Sequence, residues 1–118
     1  MSENTLEELK NILRQFALER DWEQFHSPKN LSMALVAEVA ELVEHFQWLT
    51  EEQSRNLTPE KIAEVELEIA DIQMYLVRLA DKLKVDVLAA VEKKLAINAE
   101  KYPPDKVRGS SKKYSEYR

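Results

Sequence analysis

The sequence predicts an all-α protein, a four-helix bundle, and two observations lead to that prediction. The 118-residue chain has one glycine, four prolines and long runs of leucine, alanine, glutamate and lysine, a composition typical of helices. Apolar residues also recur at helical spacing between clear start and stop signals. With 44% apolar and 33% charged residues, the chain is long enough for one domain with a modest core.

N-capping residues mark the first two predicted helices. The first begins at Thr5, a good N-cap, and Glu8 three residues later completes a capping box. The stretch DWEQFHSPKN interrupts it. Ser27 is the next cap, and Pro28 occupies the first position of a second helix that runs to about Leu49. The polar sequence TEEQSRNL follows and predicts a loop.

The third predicted helix is the longest. It begins at Thr58 and meets no breaker until about Leu83, so at about 1.5 Å per residue it is nearly 40 Å long. One small bundle cannot cover a helix of that length. The fourth begins near Val85 or Asp86 and ends before two consecutive prolines. These bounds predict one domain over residues 1–102, followed by a locally basic tail over residues 103–118.

The composition argues against several classes of function. The chain has no cysteine, which excludes disulfides, thiolate metal sites and cysteine nucleophiles. A net charge of −5 argues against a nucleic-acid polymer as the main partner. No apolar run approaches the roughly 20 residues of a membrane span, and MSENTLEELK lacks the features of a signal peptide. We therefore expect a cytoplasmic protein without a membrane partner.

Two of the predicted helices carry the same pattern of acidic residues. Glu38 and Glu41 lie one turn apart at the edge of the apolar stripe of the second helix, and Glu68 and Asp71 do the same on the third. Side by side, such helices would bring four carboxylates together. Two like charges about 4 Å apart cost about 4 kcal/mol at an effective dielectric constant near 20. The pattern thus predicts a cation, and oxygen ligands favour Mg²⁺ or Mn²⁺, although acidic pairs are also common on solvated helix faces.

Other residues fit a nucleotide bound to that cation. Lys94 and Asn98 lie one turn apart on the fourth helix and could contact phosphate oxygens, although such a stripe is also typical of solvated surface. Several rings near the ends of the second helix can stack on a base or simply pack in the core. These are Trp22, Phe25, His26 and Trp48.

Four segments carry a resemblance to a known family. They are RDWEQFHSPKNL, EVAELVEHFQW, EIADIQMYLVRLA and KLAINAEKYP, and RGSSKKYSEYR extends the likeness to the end of the chain. They resemble the MazG-like, all-α nucleoside triphosphate pyrophosphatases, and most closely the branch that hydrolyses dCTP. The core of the likeness is an E-x-x-E followed by an E-x-x-D, flanked by HFQW and by K-x-x-x-N-x-x-K-Y-P.

The resemblance implies a Mg²⁺-dependent hydrolase, with Mn²⁺ as a substitute ion. Its substrate would be dCTP, a modified dCTP or a related nucleoside triphosphate, cleaved to the monophosphate and pyrophosphate. The metal ligands would be Glu38, Glu41, Glu68 and Asp71. Glu41 by preference, and Glu38 next, would orient or deprotonate the attacking water.

The resemblance also implies the residues that bind the substrate. Lys94 and Asn98 would hold the phosphates, and Tyr75 would lie beside them or beside the sugar. Three residues would form the base pocket: Trp22, His26 and Trp48. The family builds its site between subunits, commonly in a homotetramer made of two dimers, which agrees with a third helix too long for one bundle.

Three alternatives stay open at this point. A housecleaning pyrophosphatase for non-standard nucleotides would use the same residues. A non-catalytic helical adaptor would carry the acids as surface and the apolar faces as partner grooves, and it predicts no metal dependence of stability. A di-iron bundle requires two Glu-x-x-His motifs, and only the segment from Glu23 to His26 has that spacing.

Overall fold

The computed structural model describes residues 5–111, and every regular element within them is helical. The α-helices are α1 (Leu6–Glu19), α2 (Pro28–Glu44), α3 (Glu51–Ser54), α4 (Pro59–Lys82), α5 (Val87–Lys101) and α6 (Pro104–Val107). A 3₁₀ turn at Glu23–Phe25 lies between α1 and α2. The predicted all-α fold with four long helices is confirmed. None of the helices in the described part of the chain is long and apolar enough to cross a membrane.

Side-chain caps set the starts of the four long helices. Each cap accepts a hydrogen bond from the backbone N–H three residues further along, which satisfies one of the amides that an α-helix leaves unpaired. The capping residues are Thr5 for α1, Ser27 for α2, Thr58 for α4 and Asp86 for α5. Each such cap stabilises a helix by about 1 kcal/mol. The four predicted starts are therefore confirmed.

The end of α2 and the loop after it differ from the prediction. The helix ends at Glu44 instead of near Leu49, and residues 45–49 form turns. The polar segment predicted as a loop contains α3, which a reciprocal capping box between Thr50 and Gln53 holds in place. One-turn helices such as α3 and α6 bury no apolar stripe, so hydrophobic periodicity does not detect them.

The described part of the chain divides into two compact units, one ending at Lys84 and the other beginning at Val85. In the first unit, α4 packs along α2 and also contacts α1. The second unit contains α5 and α6. The predicted division into a domain over residues 1–102 and a tail over residues 103–118 stays a prediction.

Few apolar side chains are buried within residues 5–111. They are Ala17, Leu31, Val65 and Val77. On α4 and its C-cap, four large apolar residues at intervals of seven are between 40% and 55% exposed: Ile62, Ile69, Leu76 and Leu83. We call these four the apolar seam. A seven-residue apolar period is typical of helices that pack against other helices. The residues of the apolar seam are therefore only partly buried within this chain.

Within the described residues, one charged side chain is buried with this core. Arg78 of α4 is 4% exposed, and its guanidinium donates hydrogen bonds to Glu23 at 3.0 Å and Asp81 at 3.3 Å. It also donates to Nδ1 of His26. Arg14 of α1 donates two hydrogen bonds, at 2.6 and 3.1 Å, to the same Asp81 carboxylate. This Arg78 network ties α1, the 3₁₀ turn and α4 together.

We expect the Arg78 network to make the fold sensitive to acid. The Lys82 ammonium lowers the pKa of Glu23, and the Arg14 guanidinium lowers the pKa of Asp81. A carboxylate whose folded-state pKa is depressed stabilises the fold only while it is ionised. That stability is complete above about pH 5 and is lost as the pH falls through about 4 and below.

Arg14→Gln should therefore flatten the dependence of the free energy of unfolding on pH between about 5 and 3. Urea denaturation followed by circular dichroism measures this. Arg20→Gln is the matched control, because its ion pair with Glu19 is weak, at 3.8 Å on the surface, and its other contacts are with the backbone carbonyl and ring of Phe16, which do not titrate. Equal slopes for the wild type and Arg14→Gln would contradict the prediction.

Candidate metal and nucleotide site

Three carboxylates meet where α2 and α4 pack together. Glu38 and Glu41 come from α2 and Glu68 from α4, and one oxygen of each lies within 4.8 Å of the others. Glu38 is half-buried, whereas the apolar Val39 beside it is 40% exposed. The side chain predicted at the edge of the apolar stripe thus lies on the face of α2 that packs inward.

This cluster is short of hydrogen-bond donors. Among residues 5–111, Oε2 of Glu38 and Oε2 of Glu68 are the buried side-chain oxygens that have no partner. Burial, and then the carboxylate of Glu41, raise the pKa of Glu38 to about 7. The same two causes raise the pKa of Glu68. Buried carboxylates that repel one another are costly unless a cation joins them, so the residues present fit a hard divalent ion.

Two further residues flank the cluster. Asp71 lies one turn beyond Glu68, and its charge contributes to the raised pKa values of Glu38 and Glu68. In the described part of the chain, however, Asp71 is not a member of the three-carboxylate group. Its role as a metal ligand stays a prediction. Nε2 of His45 lies 3.8 Å from Oε1 of Glu68.

A cavity of about 250 Å³ lies next to the carboxylates, because Glu38 and Asp71 belong to its lining. The rest of the lining is Leu13, Phe16 and Ala17 from α1, Trp22 and His26 from the segment before α2, and Met74, Tyr75 and Arg78 from α4. The Trp22 ring meets the Phe16 ring edge-on, with centroids 5.7 Å apart. A mostly apolar and aromatic cavity with a few polar groups is typical of a small-molecule site.

The structure brings together some of the predicted substrate residues. Trp22, His26 and Tyr75 all line this cavity. Trp48 does not, since it lies in the turn after α2 and is 87% exposed. Lys94 and Asn98 lie on α5 in the second unit, and their contacts with phosphate stay a prediction.

The sequence reasoning missed the contributions of Arg78 and of α1. An arginine inside the apolar run MYLVRLA, two turns after Asp71 on the same helix face, is the signal that could have identified Arg78. Leu13 and Phe16 gave no such signal, because an apolar residue at helical spacing looks the same in a core and in a cavity wall.

These features define an all-α protein in which acidic helices pack together beside an aromatic cavity. A profile of the MazG-like family matches residues 33–117, which is most of the chain. The chain belongs to the MazG-like family, as the resemblance predicts.

Named relatives are similar over almost the whole chain. The dCTP pyrophosphatase 1 of Homo sapiens is 46% identical over 116 residues, which cover 97% of this chain and 68% of the relative. The dCTP pyrophosphatase 1 of Mus musculus is 45% identical with the same coverage. A crystal structure of a pyrophosphatase from Archaeoglobus fulgidus aligns with a TM-score of 0.78 and 42% identity, over 82% of this chain and 91% of that one.

Proposed function

We propose that this protein is a divalent-metal-dependent nucleoside triphosphate pyrophosphatase that hydrolyses dCTP to the monophosphate and pyrophosphate. The observation that carries the proposal is the carboxylate cluster, with two unpaired buried oxygens beside an aromatic cavity. The choice of dCTP is supported by four relatives named dCTP pyrophosphatase 1, which are 43–46% identical. We also propose a cytoplasmic location, because the enzyme must share a compartment with its nucleotide.

Acidic residues of the chain would bind the metal and would take the proton from the attacking water. Glu38, Glu41, Glu68 and Asp71 would hold Mg²⁺, or Mn²⁺ in its place. When bound, the ion would supply positive charge that offsets the charge of the phosphates. We assign Glu41 as the base that takes a proton from the attacking water, with Glu38 as the alternative. Glu41 is the exposed member of the cluster and is therefore open to water.

The remaining predicted residues would position the substrate. Trp22 and His26 would contact the base, and Tyr75 would contact the phosphates or the sugar, since these three residues line one cavity. Lys94 and Asn98 would bind the phosphates. Phosphoryl transfer depends mainly on such positioning and on charge stabilisation, so the protein needs no covalent step of its own.

We further propose that the active form is a homo-oligomer, a tetramer built from two dimers. The apolar seam on α4 and the exposed Val36 and Val43 of α2 are surfaces that a second copy would cover. Trp48 is a large aromatic residue at 87% exposure, and burial against another copy would stabilise it. In that assembly Trp48 would reach the base pocket of a neighbouring copy.

Two other classes of protein fit the structure less well. In a non-catalytic adaptor the acids would be solvated surface, whereas Glu38 and Glu68 each have a buried, unpaired oxygen. A di-iron site would need the Glu23 and His26 side chains as ligands, whereas both contact Arg78. The carboxylate cluster therefore favours the pyrophosphatase.

Product analysis tests the proposed function. Purified protein and Mg²⁺ are incubated with dCTP, 5-methyl-dCTP, CTP, dTTP and dATP, and the products are separated by ion-exchange chromatography. We expect monophosphate and pyrophosphate in equal amounts, with dCTP fastest, no turnover in EDTA, and recovery with Mn²⁺. Orthophosphate as the product, or no turnover of any nucleotide, would refute the proposal. Faster turnover of a modified nucleotide would instead indicate a housecleaning enzyme.

A further inference from the structure

Arg78 determines which nitrogen of His26 carries the proton. The Nε and Nη2 atoms of Arg78 lie 3.3 and 3.2 Å from Nδ1 of His26. A guanidinium group has only donors and stays protonated in proteins, so Nδ1 must accept through its lone pair. A neutral imidazole has a single proton, which is then on Nε2.

Arg78 is itself held in one position. It is buried, and the carboxylates of Glu23 and Asp81 accept hydrogen bonds from Nη2 and Nη1. Arg14 in turn holds Asp81 from α1. Because each partner is held by another group, Arg78 cannot turn away from His26 without breaking buried hydrogen bonds.

The groups around His26 favour the neutral form of its ring. Burial, and then the positive charges of Arg78 and Lys82 on α4, lower the pKa of His26, whereas Glu23 on the 3₁₀ turn opposes them. Glu38 of α2 and Asp71 of α4 line the same cavity as His26. Within residues 5–111, no protein group accepts a hydrogen bond from Nε2 of His26. The Nε2–H group of a cavity-lining residue is therefore left for a ligand.

We propose that Arg78 is a positioning residue that fixes His26 as a hydrogen-bond donor through Nε2, so that the cavity recognises an acceptor atom of the nucleobase. A ring nitrogen or carbonyl of a pyrimidine is such an acceptor, whereas an exocyclic amine turned toward His26 would leave two donors facing each other. The tautomer of His26 is set by protein groups alone. Only the identity of the ligand as a nucleobase rests on the proposed function.

Nuclear magnetic resonance of the full chain tests the tautomer without any nucleotide. The chain has two histidines, so a His45→Gln variant assigns the ring signals of His26 in long-range ¹H–¹⁵N spectra. At neutral pH we expect a protonated Nε2 and an unprotonated Nδ1. A proton on Nδ1, or a charged ring at neutral pH, would overturn the proposal.

Variants of Arg78 test its effect on recognition. Arg78→Gln should give a mixture of His26 tautomers and raise KM for dCTP about five-fold, with kcat changed less than about two-fold. Arg78→Lys keeps a donor and should restore most of both properties. Arg55→Gln is the matched control, because Arg55 is exposed, pairs with Glu51 and Glu52 of α3 on the surface and is not part of the Arg78 network. It should leave the His26 signals and KM unchanged.

The possible outcomes test the positioning role of Arg78 and the recognition of the nucleobase through His26 separately. A folded Arg78→Gln protein with unchanged His26 signals would overturn the positioning role, and an unchanged KM would overturn recognition through His26. If Arg78→Gln does not fold, the wild-type spectra and Arg78→Lys decide the question. A wild-type protein with the expected tautomer and no turnover of dCTP would refute the proposed function and leave the positioning role intact.

Discussion

Glu38→Gln and Glu68→Gln are each expected to lower kcat/KM for dCTP by at least about 100-fold while the helices stay folded. Even residues that only support a metal ligand typically contribute 10- to 100-fold, so loss of a ligand should cost no less. Glutamine keeps the shape of the side chain and removes the charge. Because each glutamate has a buried oxygen without a partner, the metal-free variants should be at least as stable as the wild type.

Thermal unfolding with and without Mg²⁺ distinguishes a lost metal site from a damaged fold. Mg²⁺ at about 100 times its Kd should stabilise the wild type by about 2.7 kcal/mol and the two variants far less. Glu66→Gln is the matched control, because Glu66 lies on the same helix as Glu68 and is exposed. Variants that stay folded and fully active would show that these carboxylates are not the metal site.

Ile69→Glu is expected to dissociate the proposed oligomer and to lower activity more than about ten-fold. Ile69 belongs to the apolar seam, where a second copy would bury it, and a carboxylate buried there without a partner would be strongly unfavourable. Because Trp48 would reach the base pocket only in the assembly, the monomer should lose activity although it retains Glu38, Glu41 and Glu68.

Light scattering coupled to size-exclusion chromatography measures this dissociation. Ala63→Glu is the matched control, because it places the same side chain at another exposed position of α4, outside the apolar seam. The control should keep the mass and the activity of the wild type. A wild-type protein that is already monomeric, or an Ile69→Glu protein that keeps its assembly, would contradict the prediction.

Local signals in the sequence predicted the helix starts and the acidic pairs, because a cap such as Thr58 acts within one turn. The direction in which Glu38 points was not predictable to the same degree. Helical spacing places Glu38 on a face, but the packing of α4 decides whether that face is inside. The burial of Arg78 was not predicted either, because its partner Glu23 lies 55 positions away in the chain.

The location of Trp48 shows where prediction from one chain ends. It lies after α2, although the predicted second helix included it, and the cavity lined by Trp22 and His26 does not include it. Its predicted role depends on a second copy, and spacing within one sequence contains no information about a neighbouring surface. The same holds for the apolar seam, whose seven-residue period indicates a helical partner without identifying it.

The small number of fully buried apolar residues has a consequence for how the stability of this protein is expressed. If much of the apolar surface is covered only in the proposed assembly, then unfolding and dissociation are one equilibrium. The midpoint of thermal unfolding would rise with protein concentration, and a free energy quoted without that concentration would have no fixed value. Dilution alone would then lower the fraction of folded protein.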